Sequence, residues 1–91
     1  MFVIISYDIV DDKRRNKVSK FLENYGTRVQ YSVFECIIDE EQLDEIQEIT
    51  KDIINEAEDS IRYYRLCEIC LKKVDIAGNG EITKDMDFYI V

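Results

Sequence analysis

Residues 2–8 read FVIISYD, and this short apolar run decides the fold. Its β-branched and aromatic content is typical of a strand, in which successive side chains point to opposite faces of a sheet. Phe2 and Ile4 therefore share one face, and Val3 and Ile5 share the other. Because both faces are apolar, the strand needs a cover on each side.

A helix is predicted directly after this strand, over residues 12–25. Asp11 or Asp12 is expected to cap its N-terminus. Its apolar residues recur at i, i+3, i+4 and i+7 and form one narrow stripe. They are Val18, Phe21, Leu22 and Tyr25. Gly26 is a natural terminator just beyond the last turn.

Two strands are predicted within residues 27–38, TRVQYSVFECII. The segment has no helical stripe and is longer than a usual strand, so we expect a tight turn near residues 30–32. A second helix then begins at Asp39, with Gln42 as its capping-box partner. Its apolar face is expected to consist of Leu43, Ile46, Ile49 or Thr50, and Ile53.

Further strands are predicted over residues 60–67 and 71–77. The resulting order, β-α-β-β-α-β with an additional C-terminal strand, predicts an α+β, ferredoxin-like fold. Residues 1–78 would form this domain. Residues 79–91 would form a C-terminal tail that pairs as a strand at a sheet edge or a dimer interface. Since two helices cover only one face of the sheet, a second copy is expected to cover the other, giving a homodimer.

The charge is unevenly distributed along the chain. The 91 residues have a net charge of −8, which at first argues against a nucleic-acid partner. Residues 1–28, however, contain six cations and four anions, whereas residues 29–91 contain six cations and sixteen anions. The first segment could therefore contact phosphate although the protein is acidic as a whole.

Several function classes are excluded or disfavoured by the residues present. The chain has no His, and it contains neither a P-loop nor a G-x-G-x-x-G motif, so a carboxylate with a metal ion is nearly the only catalytic option left. The three Cys are interpreted as buried or half-buried thiols rather than as a disulfide or zinc framework. No apolar run reaches the roughly 18 residues of a membrane span, and FVIIS is too short for a signal-peptide core. We therefore expect a cytoplasmic protein without a membrane partner.

Asp8 is the strongest candidate for chemistry because the end of the first strand fixes it next to solvent. Residues 2, 4, 6 and 8 share a face, so two-fold symmetry could bring two copies of Asp8 together. Magnesium commonly takes one or two carboxylates and completes its octahedron with water and phosphate oxygens. The alternative is that Asp8 only stabilises the turn or the helix start.

A basic surface on the first helix is the candidate phosphate contact. It would include Arg14, Arg15, Lys17 and Lys20, with Arg28 just after the helix. Arginine forms bidentate contacts to phosphate, so these residues could bind a nucleic-acid backbone. Ordinary surface charges are an equally good interpretation of the composition. Tyr7 and Tyr31 could polarise or stack, but aromatic residues in strands are more often core residues.

Three motifs together resemble one known family. They are Tyr7-Asp8-Ile9, the pair Arg14-Arg15, and the run from Tyr25 to Cys36, which follows the pattern Y-G-x-R-V-Q-x-S-V-F-E. At this spacing they strongly resemble the second CRISPR-associated (Cas) protein family, the small endonuclease subunit of the spacer-acquisition machinery. The resemblance is close over the first forty residues, and length and element order fit throughout.

The resemblance implies a fold, a site and partners. It implies a ferredoxin-like homodimer with a divalent-metal site, Mg²⁺ or Mn²⁺, built on Asp8 from each subunit. It implies that Arg14, Arg15 and Arg28 lie near phosphate and that Tyr7 and Phe34 line the site. It further implies the CRISPR integrase subunit as a partner for capturing short duplex DNA. Members of the family are reported to cut single-stranded RNA or double-stranded DNA.

Three functions therefore stay open at this point. The first is a metal-dependent endonuclease of CRISPR adaptation that uses Asp8. The second is a non-catalytic DNA scaffold for the integrase. The third is a ribonuclease toxin of similar fold.

Overall fold

The computed structural model describes residues 1–66, which form four strands and two helices. In chain order they are β1 (Phe2–Asp8), α1 (Asp12–Leu22), β2 (Gly26–Gln30), β3 (Val33–Ile37), α2 (Glu40–Ile53) and β4 (Ser60–Leu66). The predicted β-α-β-β-α-β order is confirmed. The strand expected at 71–77 and the tail 79–91 lie outside the described residues.

The four strands form one antiparallel sheet in the order β2-β3-β1-β4. β3 is inserted between β1 and β2, which makes the split β-α-β unit of a ferredoxin-like fold. β1 is central, with Ile5 opposite Phe34 on β3 and opposite Tyr63 on β4. Asp8 ends the pairing opposite Ser60, which places it at the rim of the sheet.

The hydrophobic core lies between the helices and one face of the sheet. β1 contributes Val3, Ile5 and Tyr7 to it, and β3 contributes Phe34 and Cys36. The helices complete it with Val18, Leu22, Leu43 and Ile46. Cys36 is a buried free thiol, as predicted, and burial with the neighbouring Glu35 charge raises its pKa to about 11.

The second face of the sheet is that of Phe2, Ile4, Ser6 and Asp8, as the alternation along β1 predicts. Strand register places Val33, Glu35, Ile37, Arg62, Tyr64 and Leu66 on the same face. Ile4 is half-buried there, and the side chain of Tyr64 is exposed. This second face is therefore rich in apolar groups, and both described helices lie on the opposite side.

The C-terminus of α1 differs from its prediction. The helix ends at Leu22 rather than Tyr25, because Asn24 donates its side-chain amide to the Phe21 carbonyl at 3.1 Å and turns the chain. The ring of Tyr25 packs on that of Phe21, with centroids 5.3 Å apart. Gly26 is therefore not a helix terminator.

Gly26 instead opens β2 where that strand passes very close to β3. A Cβ at this position would meet the Glu35 carbonyl oxygen at 2.4 Å and the Cys36 Sγ at 2.5 Å. Glycine is required here because the two backbones approach more closely than a side chain permits.

α2 follows its sequence signals closely. The side chain of Asp39 accepts from the Gln42 N–H at 2.7 Å, and the Gln42 side chain accepts from the Asp39 N–H at 3.1 Å. Of the two alternatives for the apolar face, Thr50 is buried and Ile49 is exposed. The Thr50 hydroxyl donates to the Ile46 carbonyl at 2.7 Å, which explains how a polar side chain fits the core. None of the helices in residues 1–66 has the length and apolar character needed to span a membrane.

Candidate active site

Asp8 is exposed at the end of β1, as the sequence predicts. Within residues 1–66 no side chain or backbone N–H donates to its carboxylate, and no cation pairs with it. It borders two pockets, one on each side of the strand end. The first is lined by Ser6, Tyr7, Asp8, Ser60 and Arg62. The second is lined by Tyr7, Asp8, Ile9, Arg15, Tyr31 and Ser32. The carboxylate is thus available to a ligand from either side.

Tyr31 lies in the second pocket with Asp8, in the two-residue turn between β2 and β3. Its side chain is prominent at the surface, with 67% of the residue exposed. The guanidinium of Arg15 lies 5.6 Å from its ring centroid, and that of Arg28 lies 5.2 Å from it. Both distances are those of cation–π pairs. We call Arg15, Tyr31 and Arg28 the tyrosine–arginine cluster.

Backbone contacts hold this cluster in place. Arg28 donates from Nε and Nη2 to the Tyr31 carbonyl oxygen, at 3.1 Å and 2.6 Å. The hydroxyl of the buried Tyr7 donates to the same oxygen at 3.3 Å. Arg15 is held by an ion pair with Asp12 and lies 3.4 Å from the Tyr31 hydroxyl. The turn is therefore tied to β1 immediately beside Asp8.

Tyr31 is not the core residue that an aromatic side chain in a strand more often is. The signal that could have placed it correctly is the predicted turn at residues 30–32, since a side chain at the tip of a hairpin has no core to enter.

Arg14 has a different environment from the other two arginines. Its Nε donates to Asp59 at 2.8 Å, and its Nη2 donates to Glu58 at 3.0 Å. The side chain of Asp59 is fully buried and also accepts from the N–H groups of Val10 and Asn55, at 3.0 Å and 2.9 Å. Arg14 is thus occupied in joining the loop after Asp8 to the loop before β4.

The pKa values of this pair follow from the contacts. The hydrogen bond from Arg14 is the main cause that lowers the pKa of Asp59 to about 2, helped by the N–H groups of Asn55 and Val10 and opposed by burial. The Asp59 bond also raises the pKa of Arg14. No local sequence signal indicates Asp59, because its partner Arg14 lies 45 residues away along the chain.

Tyr7 and Phe34 support the site from the hydrophobic core. Tyr7 lines both pockets through the part of its surface that is not buried, while Phe34 is fully buried. Their rings stack with centroids 6.3 Å apart. Phe34 therefore contacts the site only through Tyr7.

The basic surface of α1 continues away from Asp8. Lys17, Lys20 and Arg28 line an open groove together with Asn16, Ser19 and Glu23. Arg28 belongs to both the groove and the tyrosine–arginine cluster, so cationic side chains extend from the groove to the rim of β1.

The donor set near Asp8 fits a hard divalent cation only in part. Residues 1–66 contain no group of three metal-ligating side chains, and among the described residues that line the two pockets Asp8 is the one carboxylate. Magnesium accepts one or two carboxylates with water and phosphate oxygens. The exposed Asp8 carboxylate, to which no described residue donates, meets the requirement for one carboxylate. Asp8 of a second copy would supply the second.

The profile of the family described as CRISPR associated protein Cas2 matches residues 1–74. The chain belongs to the Cas2 family. Among curated relatives, a CRISPR-associated endoribonuclease Cas2 of Chloroflexus aurantiacus is 47% identical over 91 residues, covering 100% of this chain and 98% of its own. A CRISPR-associated endonuclease Cas2 of Halalkalibacterium halodurans is 43% identical over 83 residues, covering 86% of each chain.

Solved Cas2 structures share the architecture. The crystal structure of Streptococcus pyogenes Cas2 at pH 6.5 superimposes with a TM-score of 0.76 and 36% identity, covering 86% of this chain and 100% of that one. A chain of a partial Cas6-RT-Cas1–Cas2 complex gives a TM-score of 0.73 and 33% identity, covering 82% of this chain and 88% of that one. The family predicted from the three motifs is confirmed.

Proposed function

We propose that this chain is a metal-dependent endonuclease of CRISPR adaptation that cuts phosphodiester bonds. The observation that carries the proposal is the exposed Asp8 carboxylate, which has no partner within residues 1–66 and lies beside the tyrosine–arginine cluster. The names of its relatives, endoribonuclease and endonuclease, support the same activity.

Asp8 would hold Mg²⁺ or Mn²⁺, which would supply Lewis-acid polarisation of the phosphate and activate water for attack. Arg15 and Arg28 would bind the phosphates on either side of the scissile bond. Tyr7, anchored by its hydroxyl to the turn, would keep that turn and Asp8 at a fixed separation. The substrate would be single-stranded RNA or duplex DNA.

We also propose that the active form is a homodimer that pairs through the second face of the sheet. The apolar side chains of this face support it, since a charged surface would not need a partner. Pairing there would bring the two Asp8 carboxylates toward one shared site.

The experiment is a cleavage assay on single-stranded RNA and duplex DNA, with Mg²⁺, Mn²⁺ or a chelator. We expect wild-type protein to cleave with either metal, and we expect Asp8→Asn or the chelator to reduce cleavage to background. Asp44→Asn, which removes an exposed carboxylate from α2, is the matched control and should cleave like wild type. Cleavage by Asp8→Asn at the wild-type rate would contradict the proposal.

A non-catalytic scaffold is the second candidate, favoured by the solved complex in which a Cas2 chain accompanies Cas1. In that case the partner is an integrase subunit and the ligand is duplex DNA. An Asp8→Asn protein that loses cleavage but supports spacer acquisition at the wild-type level would favour this candidate. Family membership leaves the toxin alternative without a supporting observation.

A further inference from the structure

The pocket between Asp8 and β4 contains chemical groups that the proposed function does not use. It is lined by Ser6, Tyr7, Asp8, Ser60 and Arg62. Strand register places Ser6 opposite Arg62 and Asp8 opposite Ser60 in the β1–β4 pair. Because side chains alternate along a strand, both pairs point to the second face of the sheet. These four side chains form a polar patch at the end of β1, which we call the rim patch.

The rim patch differs from the rest of the second face. Farther along the same two strands, that face carries Phe2 and Ile4 from β1, opposite Leu66 and Tyr64 from β4. The apolar end supports the pairing of two copies, whereas the polar end lies beside the loops that follow β1 and precede β4. A dimer formed through the apolar end would therefore keep the rim patch next to a ligand.

Arg62 is the one arginine in residues 1–66 whose side chain has neither a hydrogen bond nor an ion pair, and it is exposed. Asp8, which lines the same pocket, has no partner in these residues either. A cation and an anion thus share one pocket without neutralising each other, so both charges are available to a ligand. The other described arginines each have an acceptor within the fold: Arg14, Arg15, Arg28 and Arg65.

An unpaired guanidinium beside an unpaired carboxylate suits a phosphodiester that is bound together with a cation. Asp8 attracts the cation, and Arg62 can donate two N–H groups to the phosphate oxygens. In hydrolysis a water oxygen bonds to phosphorus and loses a proton, one P–O ester bond breaks, and the leaving oxygen gains a proton. Negative charge is spread over the phosphate oxygens in the transition state, so a donor aimed at them lowers the barrier.

We propose that Arg62 is a catalytic residue that binds the non-bridging oxygens of the scissile phosphate, on the β4 side of Asp8. The inference rests on the proposed function, because it adds a residue to the same site. It leaves the neighbouring phosphates to Arg15 and Arg28, which lie on the other side of the strand end. The substrate strand would then cross the end of β1 from one pocket to the other.

The experiment measures kcat and KM with Mn²⁺ on single-stranded RNA or duplex DNA, whichever the wild-type protein cleaves. Arg62→Ala removes the side chain, and Arg62→Gln keeps a long polar side chain without the charge. Arg65→Ala is the matched control, because it removes an arginine from the same strand. Its ion pair with Glu40, at 3.3 Å between exposed side chains, contributes little to stability. Unfolding curves establish that each variant is folded.

We expect both Arg62 variants to lower kcat by about 100-fold or more, the usual effect of losing one donor to transition-state charge. KM should change by less than about threefold, because an interaction made mainly in the transition state contributes little to substrate binding. Arg65→Ala should cleave like wild type, since its side chain lines neither pocket beside Asp8.

Four results would overturn the inference and leave the proposed function standing. A wild-type kcat in both Arg62 variants would show that this side chain does not act on the scissile phosphate. A raised KM with an unchanged kcat would assign Arg62 to a phosphate away from the bond that breaks. A loss in Arg62→Ala but not in Arg62→Gln would assign the effect to packing. An equal loss in Arg65→Ala would assign it to the overall charge of β4.

The wild-type protein tests the proposed function in the same assay. Absence of cleavage of both substrates by the wild-type protein would overturn the proposed function together with the inference.

Discussion

At the scale of single residues, identical side chains have different roles that depend on their partners. Arg14 and Arg15 are adjacent in sequence and equal in chemistry, yet Arg14 joins two loops through Asp59 while Arg15 lies beside the Tyr31 ring. The sequence predicted the exposed position of Asp8 at the end of β1 correctly, because the end of a strand is a local property. The sequence could not show that Arg14 and Arg15 have different roles, since the partner of Arg14 comes from a loop that is distant along the chain.

The ion pair of Asp59 predicts a dependence of stability on acid. Because the folded-state pKa of Asp59, about 2, lies below its usual 3.8, the pair stabilises the fold above pH 4 and loses this effect as the pH falls toward 2. We expect Asp59→Asn to be less stable than wild type at pH 7 and to approach it between pH 4 and pH 2. Thermal unfolding across this range tests it. A stability difference independent of pH would assign the cost to packing instead.

Gly26 gives a second prediction at this scale. A methyl group there would overlap the Glu35 carbonyl and the Cys36 sulfur, so β2 must move away from β3. We expect Gly26→Ala to cost about 1–3 kcal/mol in the free energy of unfolding, the usual penalty for overpacking. Urea denaturation measures it, with Thr27→Ala on the exposed part of β2 as the control. Wild-type stability of Gly26→Ala would mean that the strands separate at little cost.

At the scale of elements, local signals predicted most of the structure. β-Branched and aromatic content identified β1, the apolar stripe identified α1, and the capping box placed the start of α2 at Asp39. The predicted end of α1 was wrong, because a glycine such as Gly26 can either end a helix or allow another strand to approach closely. Which of these applies depends on β3, which comes later in the chain.

The capping box predicts a measurable contribution from Asp39. Replacing this side chain leaves the Gln42 N–H without its acceptor at the start of α2. We expect Asp39→Ala to lower the free energy of unfolding by about 0.5–2 kcal/mol, as measured by chemical denaturation. Asp44→Ala, which removes another exposed carboxylate within α2, should have little effect. Equal stability of the two variants would contradict a role for the cap.

At the scale of the whole molecule, the two faces of the sheet are unequal. One packs on both helices, and the second carries apolar groups from β1, β3 and β4. The sequence of β1 alone predicted this difference. A strand with apolar side chains on both faces needs packing partners on both, and two helices cover only one face. It could not give the register of β4, which aligns Tyr64 with Ile4 on the second face.

This face predicts the oligomeric state. We expect light scattering to give about twice the 10.8 kDa of one chain. Tyr64→Glu, which places a charge on the second face at an exposed position, should shift the protein toward the monomer. Ile49→Glu, on the exposed side of α2, should leave the dimer unchanged. A monomeric wild-type protein would contradict pairing through the second face and with it a site shared by two copies of Asp8.

The engagement of Arg14 by two carboxylates also affects how steeply the affinity for a nucleic acid depends on salt concentration. A cation that is already neutralised within the fold does not neutralise a phosphate of a nucleic acid, so it does not release the counterion condensed on that phosphate. The steepness with which affinity falls as salt is added should therefore reflect Arg15, Arg28 and the lysines of α1, without a contribution from Arg14. Lowering the ionic strength should therefore strengthen binding less than it would if both Arg14 and Arg15 contacted phosphates.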